Sequence, residues 1–276
     1  MKKELTCISV LLAAFAAECI RENNTLTVTH YRQHTQGRLK RHVRVAFFAD
    51  FHNAKSSRFC AKVFKTIKDS KPDLIIAAGD MINGNDSKKD MQQTIQLINM
   101  LGKIAPVYIS NGNHELKAGH VKRSYFYRSI KQNATVLNND MMPDALNGVN
   151  IYGLDIGGHF YRRSYPRKMS DYYIPSLIGM PDKSKFNILI AHNPEYFKKY
   201  AKWGADIVLS GHYHGGLVRL PIFGGMISSY LVPFPEYDYG HYKSGRTNMY
   251  ITNGLGAHTL KIRINNIPEV VILDIF

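Results

Sequence analysis

The sequence contains little cysteine. Its three cysteines, Cys7, Cys19 and Cys60, are scattered along a chain of 276 residues. Three thiols at these spacings exclude a disulfide-rich scaffold and a zinc site built from four thiolates. A metal ion in this protein must therefore be held by histidine and carboxylate side chains.

Acidic residues are also scarce relative to basic ones. Lysine and arginine number 36 against 21 aspartates and glutamates, which gives a formal net charge of +15. A surface this basic favours anionic partners such as phosphate compounds, nucleic acid or anionic lipid. Because 45% of the residues are hydrophobic and 21% are charged, the chain is expected to be globular. A disordered chain, a collagen-like chain and a many-span membrane protein are excluded.

An apolar stretch over residues 5–20 follows two lysines near the start of the sequence. It resembles a signal sequence or a short membrane anchor, although a spanning helix needs roughly 17 to 25 residues. We expect membrane association; the alternatives are a cleaved signal of a secreted or extracytoplasmic protein and a helix packed on a cytoplasmic domain. Residues 21–42 are polar and basic, so the predicted division is an N-terminal segment over 1–42 and one domain over 43–276.

From residue 43 the sequence alternates between short apolar runs, typical of buried strands, and segments with apolar residues at helical spacing. The predicted strands are 43–49, 73–78, 105–109, 149–154, 187–191, 206–209, 247–252 and 268–275. The predicted helices are 56–69, 88–101 and 195–202. The last two strands have no helix between them, and the whole pattern predicts an α/β sandwich.

Polar residues follow five of these strands, at the point where each strand ends. The five segments are Asp50-Phe51-His52, Gly79-Asp80, Asn111-Gly112-Asn113-His114-Glu115, His192-Asn193 and Gly211-His212-Tyr213-His214. Because ligands bind beyond the carboxyl ends of strands in open α/β sheets, we expect the segments to converge. Their carboxylate, amide and imidazole groups are more numerous than one tetrahedral ion needs, which predicts two ions that share a carboxylate.

These segments resemble the signature motifs D-x-H, G-D, G-N-H-E/D, H and G-H-x-H of the calcineurin-like metallophosphoesterase superfamily. Residues 190–195, 209–216 and 253–256 are also similar to a bacterial branch whose members often carry an N-terminal membrane segment. The resemblance implies a four-layer αββα sandwich with two mixed β-sheets, the calcineurin-like metallophosphoesterase fold. It also implies a binuclear metal centre that hydrolyses phosphoesters.

The resemblance further implies a role for each matched residue. The expected metal ligands are Asp50, His52 and His214 for the first ion, Asn113, His192 and His212 for the second, and Asp80 as the bridge between them. The ligand types suit divalent manganese, iron, zinc or nickel. His114 is the expected proton donor, because an imidazole titrates near neutral pH. Glu115 is either an orienting partner of His114 or a surface carboxylate.

Two segments depart from the family pattern. Asn83 stands where many relatives have an aspartate, and the Tyr- and Pro-rich segment 228–242 replaces a more glycine-rich loop. If segment 228–242 walls the crevice with apolar surface, it favours a lipid-associated substrate over a soluble nucleotide.

The predicted function is a two-metal phosphodiesterase in which a hydroxide bridging the ions attacks the phosphorus and His114 protonates the leaving group. The expected partners are a phosphoester, lipid-linked in our preferred interpretation, and a membrane surface. The alternative is a non-enzymatic basic module that binds nucleic acid or membrane, although the sequence has no specific nucleic-acid motif. A single-zinc protease is excluded because no His-Glu-x-x-His helix is present. The oligomeric state is not predicted.

Overall fold

The computed structural model describes residues 2–35, 37–53, 56–146, 148–162, 167–220, 224–228, 233–257 and 261–276, without the side chains of residues 2, 3 and 5. The helices of this part are α1 Lys2–Asn24, α2 Ser57–Ser70, α3 Gln92–Leu101, α4 Asn113–Lys117, α5 Gly119–Ile130, α6 Tyr173–Ile178 and α7 Phe197–Trp203. Two 3-10 turns, Gly158–Tyr161 and Pro194–Tyr196, complete the helical elements of these residues.

The strands in chain order are β1 Thr27–Gln33, β2 Val43–Phe48, β3 Leu74–Ala78, β4 Val107–Ser110, β5 Thr135–Val136, β6 Asp140–Met142, β7 Val149–Leu154, β8 Phe186–Ala191, β9 Ile207–Ser210, β10 Arg219–Leu220, β11 Gly224–Gly225, β12 Gly240–Ser244, β13 Thr247–Ile251 and β14 Glu269–Ile275. They form two six-stranded sheets, with orders β1-β14-β2-β3-β4-β5 and β12-β13-β9-β8-β7-β6, and a small β10-β11 ribbon.

Both large sheets are mixed. In the first, β2, β3, β4 and β5 are parallel, and β14 pairs antiparallel with β2 and parallel with β1. In the second, β7, β8, β9 and β13 are parallel, and β6 and β12 are antiparallel edge strands. Most residues of the parallel strands are apolar because both faces of these strands are covered.

Three hydrophobic clusters separate four layers. Phe48 and Ile75 of the first sheet pack against α2, α3 and α5 on the outer face. Phe47 packs with Ile188 of the second sheet between the two sheets. Tyr152 on the other face of the second sheet packs against α6 and α7, with the Trp203 ring edge-on at 4.9 Å. This αββα arrangement confirms the predicted fold class.

Part of the region that was expected to be a connector forms a strand. Residues 27–33 form β1, whose side chains alternate between half-buried and exposed, and β1 pairs with β14 over its whole length. The strand escaped the sequence interpretation because its alternating positions are polar rather than apolar. The division of the chain at residue 43 stays a prediction.

The N-terminal helix α1 exposes a series of large apolar side chains. These are Ile8, Val10, Leu11, Leu12, Phe15 and Ile20, each at least 43% exposed. Within the described residues, no helix combines the length and the apolar character that a membrane crossing requires.

Candidate metal centre

The carboxyl ends of five parallel strands carry the residues of the candidate site. Segments after β2, β3 and β4 come from the first sheet, and segments after β8 and β9 come from the second. All eight predicted site residues are buried, namely Asp50, His52, Asp80, Asn113, His114, His192, His212 and His214. The structure therefore places them together at one end of the sandwich.

The backbone at this end of the sheets is strained. Asp50, His52, Asp80 and His214 have φ angles of 53°, 53°, 55° and 52°. Non-glycine residues seldom adopt this left-handed region, and such residues cluster at functional sites because the surrounding structure must compensate for the strain. The strained turns bend each chain directly after its strand and direct these side chains toward the space between the sheet ends.

Three imidazoles present the same ring nitrogen to this space. His52 Nδ1 lies 2.9 Å from Asn83 Oδ1, His192 Nδ1 lies 2.7 Å from the Ala78 carbonyl oxygen, and His214 Nδ1 lies 3.1 Å from the Gly256 carbonyl oxygen. Since these oxygens accept hydrogen bonds, each Nδ1 donates a proton to its oxygen, and Nε2 is the ring nitrogen that a metal ion could use. This orientation is typical of histidines that bind metal through Nε2.

The contacts of the Asn83 side chain show which of its two amide atoms is the oxygen. Its Nδ2 donates to the His52 carbonyl oxygen at 2.9 Å and to Asp86 Oδ1 at 3.2 Å, which leaves Oδ1 to face the imidazole. A neutral amide oxygen therefore orients the His52 ring, and Asn83 adds no negative charge next to the site.

The two aspartates use one oxygen each for backbone contacts and direct the other to the histidines. Asp50 Oδ2 accepts from the backbone N–H of His212 at 3.0 Å, and Asp80 Oδ1 accepts from that of His114 at 2.7 Å. Asp50 Oδ1 lies 3.2 Å from His214 Nε2, and Asp80 Oδ2 lies 3.1 Å from His192 Nε2. Each carboxylate therefore has a fixed orientation and one oxygen that faces the centre.

The possible ligand atoms fall into overlapping groups. Asp50, His52 and His214 have ligand atoms within 4.8 Å of one another, as do Asp80, His192 and His212. Asp80 also forms such a group with His52 and His114, so its carboxylate reaches both halves of the site. These groups match the donor sets expected for a dimetal centre.

The Asn113 side chain provides a test of whether an ion fits here. Its Oδ1 and Nδ2 are buried, and among the described residues neither atom has a hydrogen-bond partner. Buried amide oxygens nearly always have a partner, because leaving one unpaired costs about 1–3 kcal/mol. A cation next to Asn113 Oδ1 would satisfy this atom, and the mixed oxygen and nitrogen donors around it suit a first-row transition metal.

The titration of the cluster also favours a cation. Burial lowers the pKa of His52 to about 3, so its ring is neutral and able to bind metal. Burial alone would also lower the pKa of His192, but the Asp80 and Asp50 carboxylates raise it to about 10. Burial opposes ionisation of Asp50, yet the neighbouring His214 and His192 keep its pKa below the usual range. The carboxylates thus attract positive charge, which a proton supplies when no metal ion is bound.

His114 lies beside these ligands. Its ring stands edge-on to the His52 ring, with centroids 4.9 Å apart, and its backbone N–H is the one bound to Asp80. It is at the N-terminal end of the short helix α4, directly after Asn113. The structure thus places the His114 imidazole beside the clustered groups that could bind metal.

Glu115 is a buried carboxylate and does not lie on the surface. Its two oxygens accept hydrogen bonds from the backbone N–H groups of Gly112, Asp80, Met81 and Ile82, at 2.7 to 3.1 Å. Burial, together with the nearby Asp80 carboxylate, raises the pKa of Glu115 to about 7. Glu115 therefore holds the loop after β3 against the loop after β4. No periodicity or composition signal marks this role, because the residue alone is a carboxylate in a polar segment.

The described residues include only part of segment 228–242. Residues 229–232, which include Leu231 and Val232, lie outside the described residues. In the described part, Phe234 is exposed, and the Tyr237 ring packs edge-on against Phe197 of α7. The expected apolar wall of the crevice therefore stays a prediction.

A model of the calcineurin-like phosphoesterase family matches residues 43–216 of the chain. The chain belongs to this family. It is 30% identical over 220 residues to the metallophosphoesterase YkuE of Bacillus subtilis (strain 168), a match that covers 77% of this chain and 71% of the relative. It is 27% identical over 240 residues to the phosphodiesterase YaeI of Escherichia coli (strain K12), with 84% and 82% of the two chains covered.

A shorter similarity concerns a pyrophosphatase. Over 131 residues the chain is 31% identical to the UDP-2,3-diacylglucosamine pyrophosphatase LpxG of Chlamydia muridarum (strain MoPn / Nigg), which covers 45% of this chain and 36% of the relative. Together with the clustered ligand groups, the family match confirms the predicted superfamily and shows a metal-dependent phosphoester hydrolase.

Proposed function

We propose that this protein is a phosphodiesterase with two divalent ions at the centre described above. Asp50, His52 and His214 would hold the first ion, Asn113, His192 and His212 would hold the second, and Asp80 would be shared between them. The observation that carries the proposal is the common orientation of three imidazoles, whose Nδ1 atoms all face oxygen acceptors while their Nε2 atoms face two buried carboxylates. Manganese, iron, zinc and nickel all suit these ligands.

Asp50, Asp80 and His114 have separate roles in phosphoester hydrolysis. When bound, the two ions supply positive charge beside the phosphate oxygens and lower the pKa of water in the site. Asp50 and Asp80 reduce the formal charge of two such ions from +4 to +2, which leaves a site that attracts a phosphodiester anion. His114 donates a proton to the leaving oxygen, a role that typically contributes on the order of 10²- to 10⁴-fold to the rate.

The substrate we favour is a phosphoester attached to lipid. The exposed apolar side chains on α1 would contact a membrane surface. Lys40, in the segment before β2, is also exposed and basic. Near an anionic leaflet each such basic residue contributes about 1 kcal/mol of attraction. The similarity to a pyrophosphatase whose named substrate carries two acyl chains supports the same class. Arg38 and Arg41, in the same segment, form ion pairs with Asp206 and Asp73 and are not available for lipid.

The test is hydrolysis by the purified full chain, reconstituted in turn with Mn²⁺, Fe²⁺, Zn²⁺ and Ni²⁺. The substrates are bis(p-nitrophenyl) phosphate, p-nitrophenyl phosphate, a cyclic nucleotide and a lipid-linked diphosphate in mixed micelles. We expect diesters to be cleaved faster than the monoester and the lipid-linked compound to have the highest kcat/KM. Faster cleavage of the monoester would contradict the diesterase assignment. Absence of any hydrolysis with all four metals would favour a basic binding module.

A further inference from the structure

The C-terminal end of α1 is attached to the domain by a buried carboxylate. Glu22 is 1% exposed, although most residues before it on the helix are exposed. Its Oε1 accepts a hydrogen bond from the backbone N–H of Asn265 at 2.8 Å, and its Oε2 accepts one from that of Asn266 at 2.9 Å. Hydrogen bonds to a charged acceptor are roughly twice as strong as neutral ones, so Glu22 fixes the position of this backbone segment.

Asn266 in turn holds the backbone of a predicted metal ligand. Its side chain is buried, and Nδ2 donates to the carbonyl oxygen of His214 at 2.6 Å and to that of Gly216. The ring of His214 is oriented separately, because its Nδ1 faces the Gly256 carbonyl oxygen. Both the backbone and the ring of His214 are therefore positioned by residues between β13 and β14.

Arg263 connects these two points of support. Its buried guanidinium donates from Nη1 to the Asn266 carbonyl oxygen at 2.9 Å and from Nη2 to the Gly256 carbonyl oxygen at 2.6 Å. Because a guanidinium is a rigid planar fork, it fixes the distance between the two carbonyl groups. A continuous series of contacts thus runs from Glu22 on α1 to the His214 imidazole.

We propose that Glu22 is a positioning residue for the metal centre, acting through Asn266 on His214. Glu22 holds the segment that contains Asn266, and this keeps His214 Nε2 directed at Asp50 Oδ1. The affinity of the first ion then depends on the docking of α1, although no residue of α1 is among the proposed ligands. The proposal rests on the assignment of His214 as a ligand of the first ion.

The test compares two substitutions in the last two turns of the same helix, both in the full chain. Glu22→Gln replaces one of the two acceptor oxygens by a donor, whereas Glu18→Gln removes the same charge from an exposed residue whose partner is Arg21. Binding is measured by titrating Co²⁺ into the metal-free protein and following its visible absorption, with thermal unfolding of the metal-free protein as a second readout. We expect Glu22→Gln to lower the affinity for one of the two Co²⁺ ions at least tenfold and to change the affinity for the other less than threefold. Glu18→Gln should bind both ions as the wild type does.

Two other results would contradict the proposal. If Glu22→Gln lowers the unfolding temperature but binds both ions normally, or weakens both equally, the residue is merely structural and the proposal fails. If the wild type binds no Co²⁺, the metal centre itself is wrong.

A second variant protects the test against misfolding. Asn266→Ala removes the contact to the His214 carbonyl oxygen but keeps the backbone N–H that Glu22 binds. Asn266→Ala should lower the affinity for the same ion. The double variant with Glu22→Gln should lower that affinity no further, because both residues act through the same contacts with His214. Additive effects of the two substitutions would overturn the proposed path.

Discussion

Gly254 lies directly against Asp50. A Cβ atom on Gly254 would lie 2.7 Å from the Cβ of Asp50, closer than two such atoms approach, and Gly254 has a φ angle of +71°. The aspartate that faces three imidazoles can therefore occupy its position only if residue 254 has no side chain.

Gly254→Ala should consequently reduce metal binding. We expect at least a tenfold loss of affinity for one divalent ion, because Asp50 must shift to accommodate the methyl group. Gly119→Ala is the matched control, since Gly119 has the same φ of +71° and no atom within 4 Å of the corresponding Cβ position. Both variants should lose roughly 1–2 kcal/mol of stability from the left-handed backbone. Equal metal affinity in the two variants would show that the contact with Asp50 is unimportant.

Asp80→Ala should remove both ions. Asp80 is the residue that shares ligand groups with both halves of the site, so its loss leaves each ion one donor short. We expect the metal content of the purified variant, measured by mass spectrometry, to fall well below two ions and turnover to fall at least 100-fold. Asp69→Ala, at an exposed aspartate paired with Lys65, should retain both. Full metal content in Asp80→Ala would contradict the two-metal assignment.

His114→Ala should retain its metal but lose turnover by about two orders of magnitude or more, the range for a proton donor. The loss should be smaller for aryl diesters, whose leaving groups need little protonation, than for alkyl diesters. The exposed His120 provides the control substitution, His120→Ala, which should leave both rates unchanged. An equal loss for both leaving groups would instead indicate that His114 stabilises charge.

Glu115→Gln should destabilise the loops that support Asp80. The substitution places an amide N–H₂ opposite backbone N–H groups, and each buried donor that loses its acceptor costs about 1–3 kcal/mol. We expect the free energy of unfolding to fall by about 2 kcal/mol or more in urea titrations. Glu236→Gln, at an exposed carboxylate, should change it little. A neutral result at Glu115 would mean that the four backbone contacts contribute no net stability.

The apolar residues of α1 should determine membrane attachment. Leu11→Glu combined with Leu12→Glu is expected to move the full chain from the membrane fraction to the supernatant, and to abolish co-sedimentation with anionic phospholipid vesicles. Val121→Glu changes a side chain that is 75% exposed on α5 and should have no such effect. If all variants and the wild type remain in the supernatant, the preference for a lipid-linked substrate loses its main support.

The residues of the site were more predictable than the contacts that position them. Asp50, His52 and the other predicted ligands follow apolar strands, and parallel strands bring such positions to one edge of a sheet. The G-N-H-E/D motif includes Glu115 but did not show that it holds the backbone of residues 80–82, and Glu22 gave no signal at all. Each is a single charged residue in a segment that is otherwise polar or exposed, and its burial depends on backbone N–H groups from distant parts of the chain.

The elements of the fold were likewise predictable only where apolar residues marked them. Strands β3, β7 and β8 are mostly apolar, and their predicted bounds differ from the observed ones by at most one residue at either end. Helix α3 begins at Gln92 and not at residue 88, because Asp90 accepts hydrogen bonds from Ser87 in a separate turn. Strand β1 was missed because its stability comes from pairing with β14, which apolar periodicity does not report.

The position of β14 between β1 and β2 has a consequence for the order of folding. All the predicted metal ligands precede residue 215, yet the sheet that carries Asp50 has a gap beside β2 until residues 269–275 are in place. A ribosome that has made every ligand has therefore not yet made the strand that completes their support. Pairing over so long a sequence separation is slow. The nascent chain should thus acquire its ability to retain metal only after residues 269–275 have been made and paired with β2.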